Sequence, residues 1–223
     1  MNTGTATFTA GSTGSAPALG NTHAHAAALT EVSAERTSRR IVVAFGFWIF
    51  LISDIIIFAA LFATYAVLSA ETAGGPSGRE LFSRPTVALE TACLLLSTGS
   101  CGLAGIGARA RRNHLYYGAM GATFLLGATF VAIELHEFSA LISEGAGPSR
   151  SAFLSAFFAL IGCHGVHVSA GLLWLLTMMA QVHAKGYRPD ILRRLLCLAL
   201  FWHTLDIVWV ALFSLVYLVG VAP

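Results

Sequence analysis

The sequence predicts an all-α fold, an integral membrane bundle of five transmembrane helices, and three observations predict it. The apolar residues gather in blocks, each long enough for the roughly 20 helical residues that cross a bilayer. Only 11% of the chain is charged and 56% is hydrophobic, whereas a soluble domain carries about 25% charged residues. The few ionisable residues inside the blocks fall at matching depths, as packed helices require if those groups are to satisfy one another without water. The small net charge of +2, with arginines at the ends of the apolar runs and no basic patch, argues against nucleic acid.

Residues 1–38 are rich in Gly, Ala, Thr and Ser without apolar periodicity. They read as a disordered N-terminal arm, and residues 39–223 as one membrane domain. The arm does not read as a signal peptide, because the first apolar block comes late and is too long. His23 and His25 within it read as parts of a solvated tail. The first span covers about 41–68, the second 87–108, the third 115–142, the fourth 151–181 and the fifth 195–220. The connections are short and carry helix breakers: AGGPSGRE before Leu81, GAGPSR before Ser151 and GYRPD before Ile191.

Charge orients the bundle. Arg36, Arg39 and Arg40 precede the first span, Arg109, Arg111 and Arg112 follow the second, and Lys185, Arg188, Arg193 and Arg194 lie between the fourth and fifth. Only Arg79, Arg84 and Arg150 fall on the other side. The positive-inside rule then predicts a cytoplasmic N-terminus and a periplasmic C-terminus. Within the second span, STGSCGLAGIGA places Gly99, Cys101, Gly105 and Gly107 at intervals that let backbones approach, as Gly162, Gly165 and Ser169 do in the fourth. Cys93, Cys101, Cys163 and Cys197 all lie in or beside apolar runs without a CxxC pattern, and read as small buried thiols.

Depth sorts the polar residues into two groups. Asp54 on the first span, His164 and His167 on the fourth, and His203 and Asp206 on the fifth come out about 20–26 Å below the outer ends, near the middle of the bilayer. Glu134 and Glu137 lie only about 12 and 8 Å down, and with Glu90 and His136 they form a shallower, outer group. His164 and His167, three residues apart, share one helical face. The inner layer admits three readings. Four of its members resemble a metal ligand set, as in a self-sufficient intramembrane metalloenzyme using His164, His167 and His203, but no Glu-x-x-His pattern occurs there. A proton path, as in a lone channel, would centre on Asp54, yet the cytoplasmic half holds no chain of groups. The residues alone favour interhelical contacts, with His203 and Asp206 pairing one turn apart.

Three segments together resemble subunit III of the haem–copper terminal oxidases: FGFWIFLISDIIIF (Phe45 to Phe58), SAFFALIGCHGVHVSAGLLW (Ser155 to Trp174) and LFWHTLDIVWVALFSLVYLVG (Leu200 to Gly220). IELHEF (Ile133 to Phe138) is similar to that family's paired-glutamate segment, and TYAVLSAETAGGPSGRELF (Thr64 to Phe82) to the first outer loop of its five-span, cytochrome bo-type ubiquinol oxidase branch. The resemblance implies a non-catalytic subunit of a proton-pumping quinol:oxygen oxidoreductase of the bacterial inner membrane. It implies no catalytic residue, metal ligand or cofactor here; haem b, haem o, copper and ubiquinol belong to the partner subunit I. By the same resemblance, this chain packs against subunit I and membrane phospholipids, stabilises subunit I and supports its proton uptake. Asp54 falls where the long-form family has a carbodiimide-reactive glutamate. The family's lipid cleft is formed with two helices that this sequence lacks.

Overall fold

The computed structural model describes residues 18–73 and 84–219, and the chain divides into two units, Met1–Trp48 and Ile49–Pro223. Its helices are α1 (Ala18–Leu68), α2 (Arg84–Arg109), α3 (Asn113–Ser143), α4 (Ala152–Lys185) and α5 (Pro189–Leu212), the last continued by a π-helical stretch, Phe213–Val219. Five segments are long and apolar enough to cross a membrane: Phe45–Leu68, Pro85–Arg109, Asn113–Ser143, Ala152–Lys185 and Pro189–Val216. All five expected spans correspond to helices, the fourth starting one residue after Ser151 and the fifth running through α5 into the π-helical stretch, with Gly220 outside the described residues. The largest difference is at the start. Residues 18–38, expected in the disordered arm, belong to α1, while residues 1–17 lie outside the described residues. Alanine, the strongest helix former, recurs in AHAAAL just after Pro17, and that local preference outweighs the missing amphipathic pattern.

Local chemistry sets the helix ends. Ser151 caps α4 by accepting a hydrogen bond from the Leu154 N–H at 3.2 Å. Pro189 opens α5 after an extended Arg188, where its missing N–H costs nothing; the helix therefore starts before Arg193 and Arg194, earlier than the apolar run suggests. The α2–α3 turn closes with the Arg112 N–H on Gly107 O at 2.9 Å and the Arg111 N–H on Ala108 O at 3.2 Å. These are the paired bonds of a left-handed helix stop. Arg111, with φ 54°, occupies the position that glycine prefers, and Gly145 occupies the matching place after α3 at φ 78°. On the same side of the bundle the Tyr187 hydroxyl donates to Asn113 Oδ1 at 2.8 Å. Partial burial, with Tyr117 nearby, holds that phenol above its ordinary range.

Helices α2, α3, α4 and α5 pack in a ring, each against the next, with α5 returning to α2. The ring closes around Trp202 of α5, which is 2% exposed. Its indole N–H donates to Ser97 of α2 at 3.0 Å, and its ring lies over Gly127 of α3 and Gly171 of α4, where an added Cβ would sit 3.0 Å from it. Three neighbours thus give up bulk or offer an acceptor to one side chain. A hydroxyl pair, Ser100 and Thr123 at 2.7 Å, joins α2 to α3 beside it. From Ile49 onward, α1 lies outside this ring. Its Leu51, Asp54, Phe58 and Tyr65 are buried at helical spacing, with Phe50 on Phe201 of α5 and Tyr65 on Phe153 of α4.

Two packing expectations need correction. Of the glycines expected to bring backbones together, Gly107 alone among the described residues meets backbone, its absent Cβ facing the Tyr116 backbone at 2.8 Å. Gly99, Gly105 and Gly165 have nothing within 4 Å of that position, because those helix faces turn outward. Cys93 and Cys101 are buried, while Cys163 and Cys197 are only partly so.

Candidate functional site

The polar residues that share a depth do not share a site. Asp54, placed on the inner stripe of α1 by its spacing from Leu51 and Phe58, faces His167 of α4, with Asp54 Oδ1 3.7 Å from Nε2. The other ring nitrogen, Nδ1, lies 2.7 Å from the carbonyl oxygen of Cys163 one turn back. A carbonyl only accepts, so Nδ1 carries a proton there. At 3.7 Å the contact of Nε2 with Asp54 is at an ion-pair distance, longer than a good hydrogen bond.

His164, one turn before His167, points into the bundle and is fully buried. Aromatic rings wall it in: Trp209 at 5.3 Å, Phe130 edge-on at 5.8 Å and Phe58 at 6.2 Å. Neither of its nitrogens has a hydrogen-bond partner among the described residues. Phe58 also lies 5.2 Å from His167, so one α1 ring covers both imidazoles.

His203 and Asp206 diverge. Side chains three residues apart are offset around a helix by about 60°, enough here to send His203 to a groove between α2 and α5 and Asp206 inward, where it is 7% exposed. Asp206 interacts electrostatically with Cys101, and its Oδ2 has no hydrogen-bond partner among the described residues. The expected pairing of His203 with Asp206 is therefore absent. His164, His167, His203 and Asp206 are likewise not drawn together, and no group of three His, Cys, Asp or Glu residues able to hold a metal occurs among the described residues.

In the outer group, Glu90 of α2 is fully buried and Glu134 of α3 is 4% exposed. The two interact electrostatically across the helix interface, with Glu137 at the rim. Among the described residues, both Glu90 oxygens and Glu134 Oε2 lack hydrogen-bond partners. His136, the residue before Glu137, is exposed and interacts electrostatically with it.

The inner and outer groups, separate by depth counting, touch through residues that the sequence reading passed over. Trp209 stacks at a tilt on His164, meets Phe130 at 4.7 Å and donates its N–H to Thr91 Oγ1 at 3.1 Å, beside Glu90. Phe130 in turn sits one turn before Glu134. The available signal was WHTLDIVW, which sets Trp202 and Trp209 seven residues apart on one face of α5, each with an indole N–H that burial obliges to find an acceptor. Ser97 and Thr91, the two acceptors, both belong to α2, which runs antiparallel to α5.

Comparison with known proteins follows this architecture. The family described as cytochrome c oxidase subunit III matches residues 30–221. A protein of Pseudomonas aeruginosa named cytochrome bo(3) ubiquinol oxidase subunit 3 is 54% identical over 176 residues, covering 79% of this chain and 84% of that protein. Quinol oxidase subunit 3 of Bacillus subtilis is 42% identical over 177 residues, 78% of this chain and 86% of the relative. Cytochrome c oxidase subunit 3 of a Bacillus species is 41% identical over 179 residues, 78% of this chain and 84% of the relative. With a match that takes in every helix of the bundle, the chain belongs to the cytochrome c oxidase subunit III family.

Proposed function

We propose that the chain is the non-catalytic subunit III of a proton-pumping ubiquinol oxidase in a bacterial inner membrane, with its N-terminus cytoplasmic. The complex oxidises ubiquinol and reduces dioxygen to water, using haem b, haem o and copper in the partner subunit I. This chain stabilises subunit I and supports its proton uptake. The observation that carries the reading is the 54% identity to a bo(3) ubiquinol oxidase subunit over 84% of that protein's length. More distant relatives bear quinol and cytochrome c oxidase names at nearly equal identity, so the choice of donor rests on the higher figure. The distribution of basic residues supports the orientation. The contact of Asp54 with His167 fits a side-chain pair that binds α1 to α4.

Purification of the tagged chain in mild detergent tests this. It is expected to bring down a complex with b- and o-type haem spectra that oxidises ubiquinol and leaves reduced cytochrome c untouched. Haem or copper bound stoichiometrically to the isolated chain would overturn the assignment. Asp54→Asn tests the proton-related part: assembled complex is expected in normal amount, with turnover declining faster during sustained catalysis. Loss of assembly instead would make Asp54 a packing residue only.

A further inference from the structure

Glu90 on α2 and Glu134 on α3 interact across one seam of the ring, at 0% and 4% exposure. Glu90 lies roughly 9 Å of helical rise inside Arg84, the first residue of α2. Glu137, one turn beyond Glu134 on α3, is half-buried and interacts with both. We propose that Glu90 and Glu134 form a proton-binding site, loaded from a hydronium in the aqueous phase at this end of the bundle by way of Glu137. In that step a hydronium O–H bond breaks, a carboxyl O–H bond forms and a water molecule is left. The inference rests on the α2–α3 seam of a membrane-spanning bundle and not on the identity of the oxidase.

Three observations carry it. First, both Glu90 oxygens and Glu134 Oε2 are buried without a hydrogen-bond partner among the described residues. Two carboxylates so placed in a dry seam repel each other, and a proton held between them relieves that repulsion. Second, the surrounding groups are committed elsewhere. The Thr91 hydroxyl donates to Val87 O at 2.8 Å and accepts the Trp209 N–H at 3.1 Å. Neither nitrogen of His164 on α4 bonds to a carboxyl, Asp54 of α1 faces His167, and Asp206 of α5 interacts with Cys101. Among the described residues no lysine or arginine forms an ion pair with either glutamate. Third, the donor set selects a proton over a metal ion. A hard cation gathers several oxygens about it, whereas the carbonyls of these helices are committed to helix bonds. No group of three His, Cys, Asp or Glu able to hold a metal occurs among the described residues. Glu137, with exposed His136 beside it, gives the seam its way to water.

Infrared spectroscopy of the full-length chain at neutral pH, with an isotopic carbon label on its glutamate carboxyls, tests the proposal. The wild type is expected to show a label-sensitive carbonyl stretch of a neutral carboxylic acid. Glu90→Gln and Glu134→Gln should each shift that band, because the remaining acid loses its partner, and the double substitution should abolish it. Glu137→Gln should keep the band but slow its deuterium exchange roughly a hundredfold, the lower end of what a positioned acid–base group contributes to proton transfer. Glu144→Gln, exposed at the same end of the bundle, should change neither. A wild type without the neutral-acid band would overturn the site, and that result requires no variant to fold. A band that survives the double substitution, or that either single substitution leaves in place, would overturn it as well. Exchange as fast in Glu137→Gln as in the wild type would overturn the route.

Discussion

Helices α1 and α5 are both apolar spans, yet they are held in different ways. Half of the α5 span is buried within the chain, against 17% of the α1 span. Helix α5 sits between neighbours that shape themselves around it, with Gly127 and Gly171 making room for Trp202 and with Ser97 and Thr91 receiving its two indole N–H groups. Helix α1 touches its neighbours along one stripe, while Ile49, Ile52, Ile55, Ile56 and Ile57 are exposed. In lipid, an exposed isoleucine loses nothing, since hydrocarbon surrounds it either way. Attachment there depends on ring contacts and on Asp54 with His167. Shape and directional bonds fix α5; a single seam fixes α1.

Substitutions can break or sharpen this contrast. The largest effect is expected from Trp202→Ala, which opens a cavity between two glycines and strands Ser97; a loss of about 3–5 kcal/mol should appear in denaturant unfolding of the chain in detergent. Arg111→Gly acts on the turn beneath α2. It relieves a left-handed non-glycine residue and should stabilise by about 1 kcal/mol, read as a higher unfolding midpoint. Asp54→Asn should cost about 0.6 kcal/mol, the average for polar contacts between membrane helices, and should loosen α1 selectively in hydrogen exchange. A global loss equal to that of Trp202→Ala would abolish the contrast. Tyr187→Phe, which removes a partly exposed hydrogen bond to Asn113, should cost about 0.5 kcal/mol in the same unfolding measurement.

The five spans were legible because a membrane demands length and apolarity, and the helix starts at Ser151 and Pro189 are spelled locally. The helical start at Ala18 was not, because an alanine-rich stretch without a periodic face resembles low-complexity chain. Depth within the bilayer was equally readable, since helical rise is constant. What rise leaves out is direction around the axis. His203 and Asp206 occupy one layer yet open to different surroundings, and His136 is exposed although it neighbours Glu137. Glycines followed the same rule: the stripe in α2 was conspicuous, but the glycines that matter for α5, Gly127 and Gly171, stand singly. Only the bulk of an indole on another helix gives them meaning, and no spacing within α3 or α4 encodes it.

The seat around Trp202 also bears on the order of synthesis. Helices α2, α3 and α4 leave the ribosome before α5, so for that interval Ser97, Gly127 and Gly171 bound a notch with nothing in it. The final helix made is the one that unites the three already inserted. A nascent chain interrupted before residue 202 would present loosely associated hairpins to the membrane's proteases, and one that passes it becomes resistant in a single step.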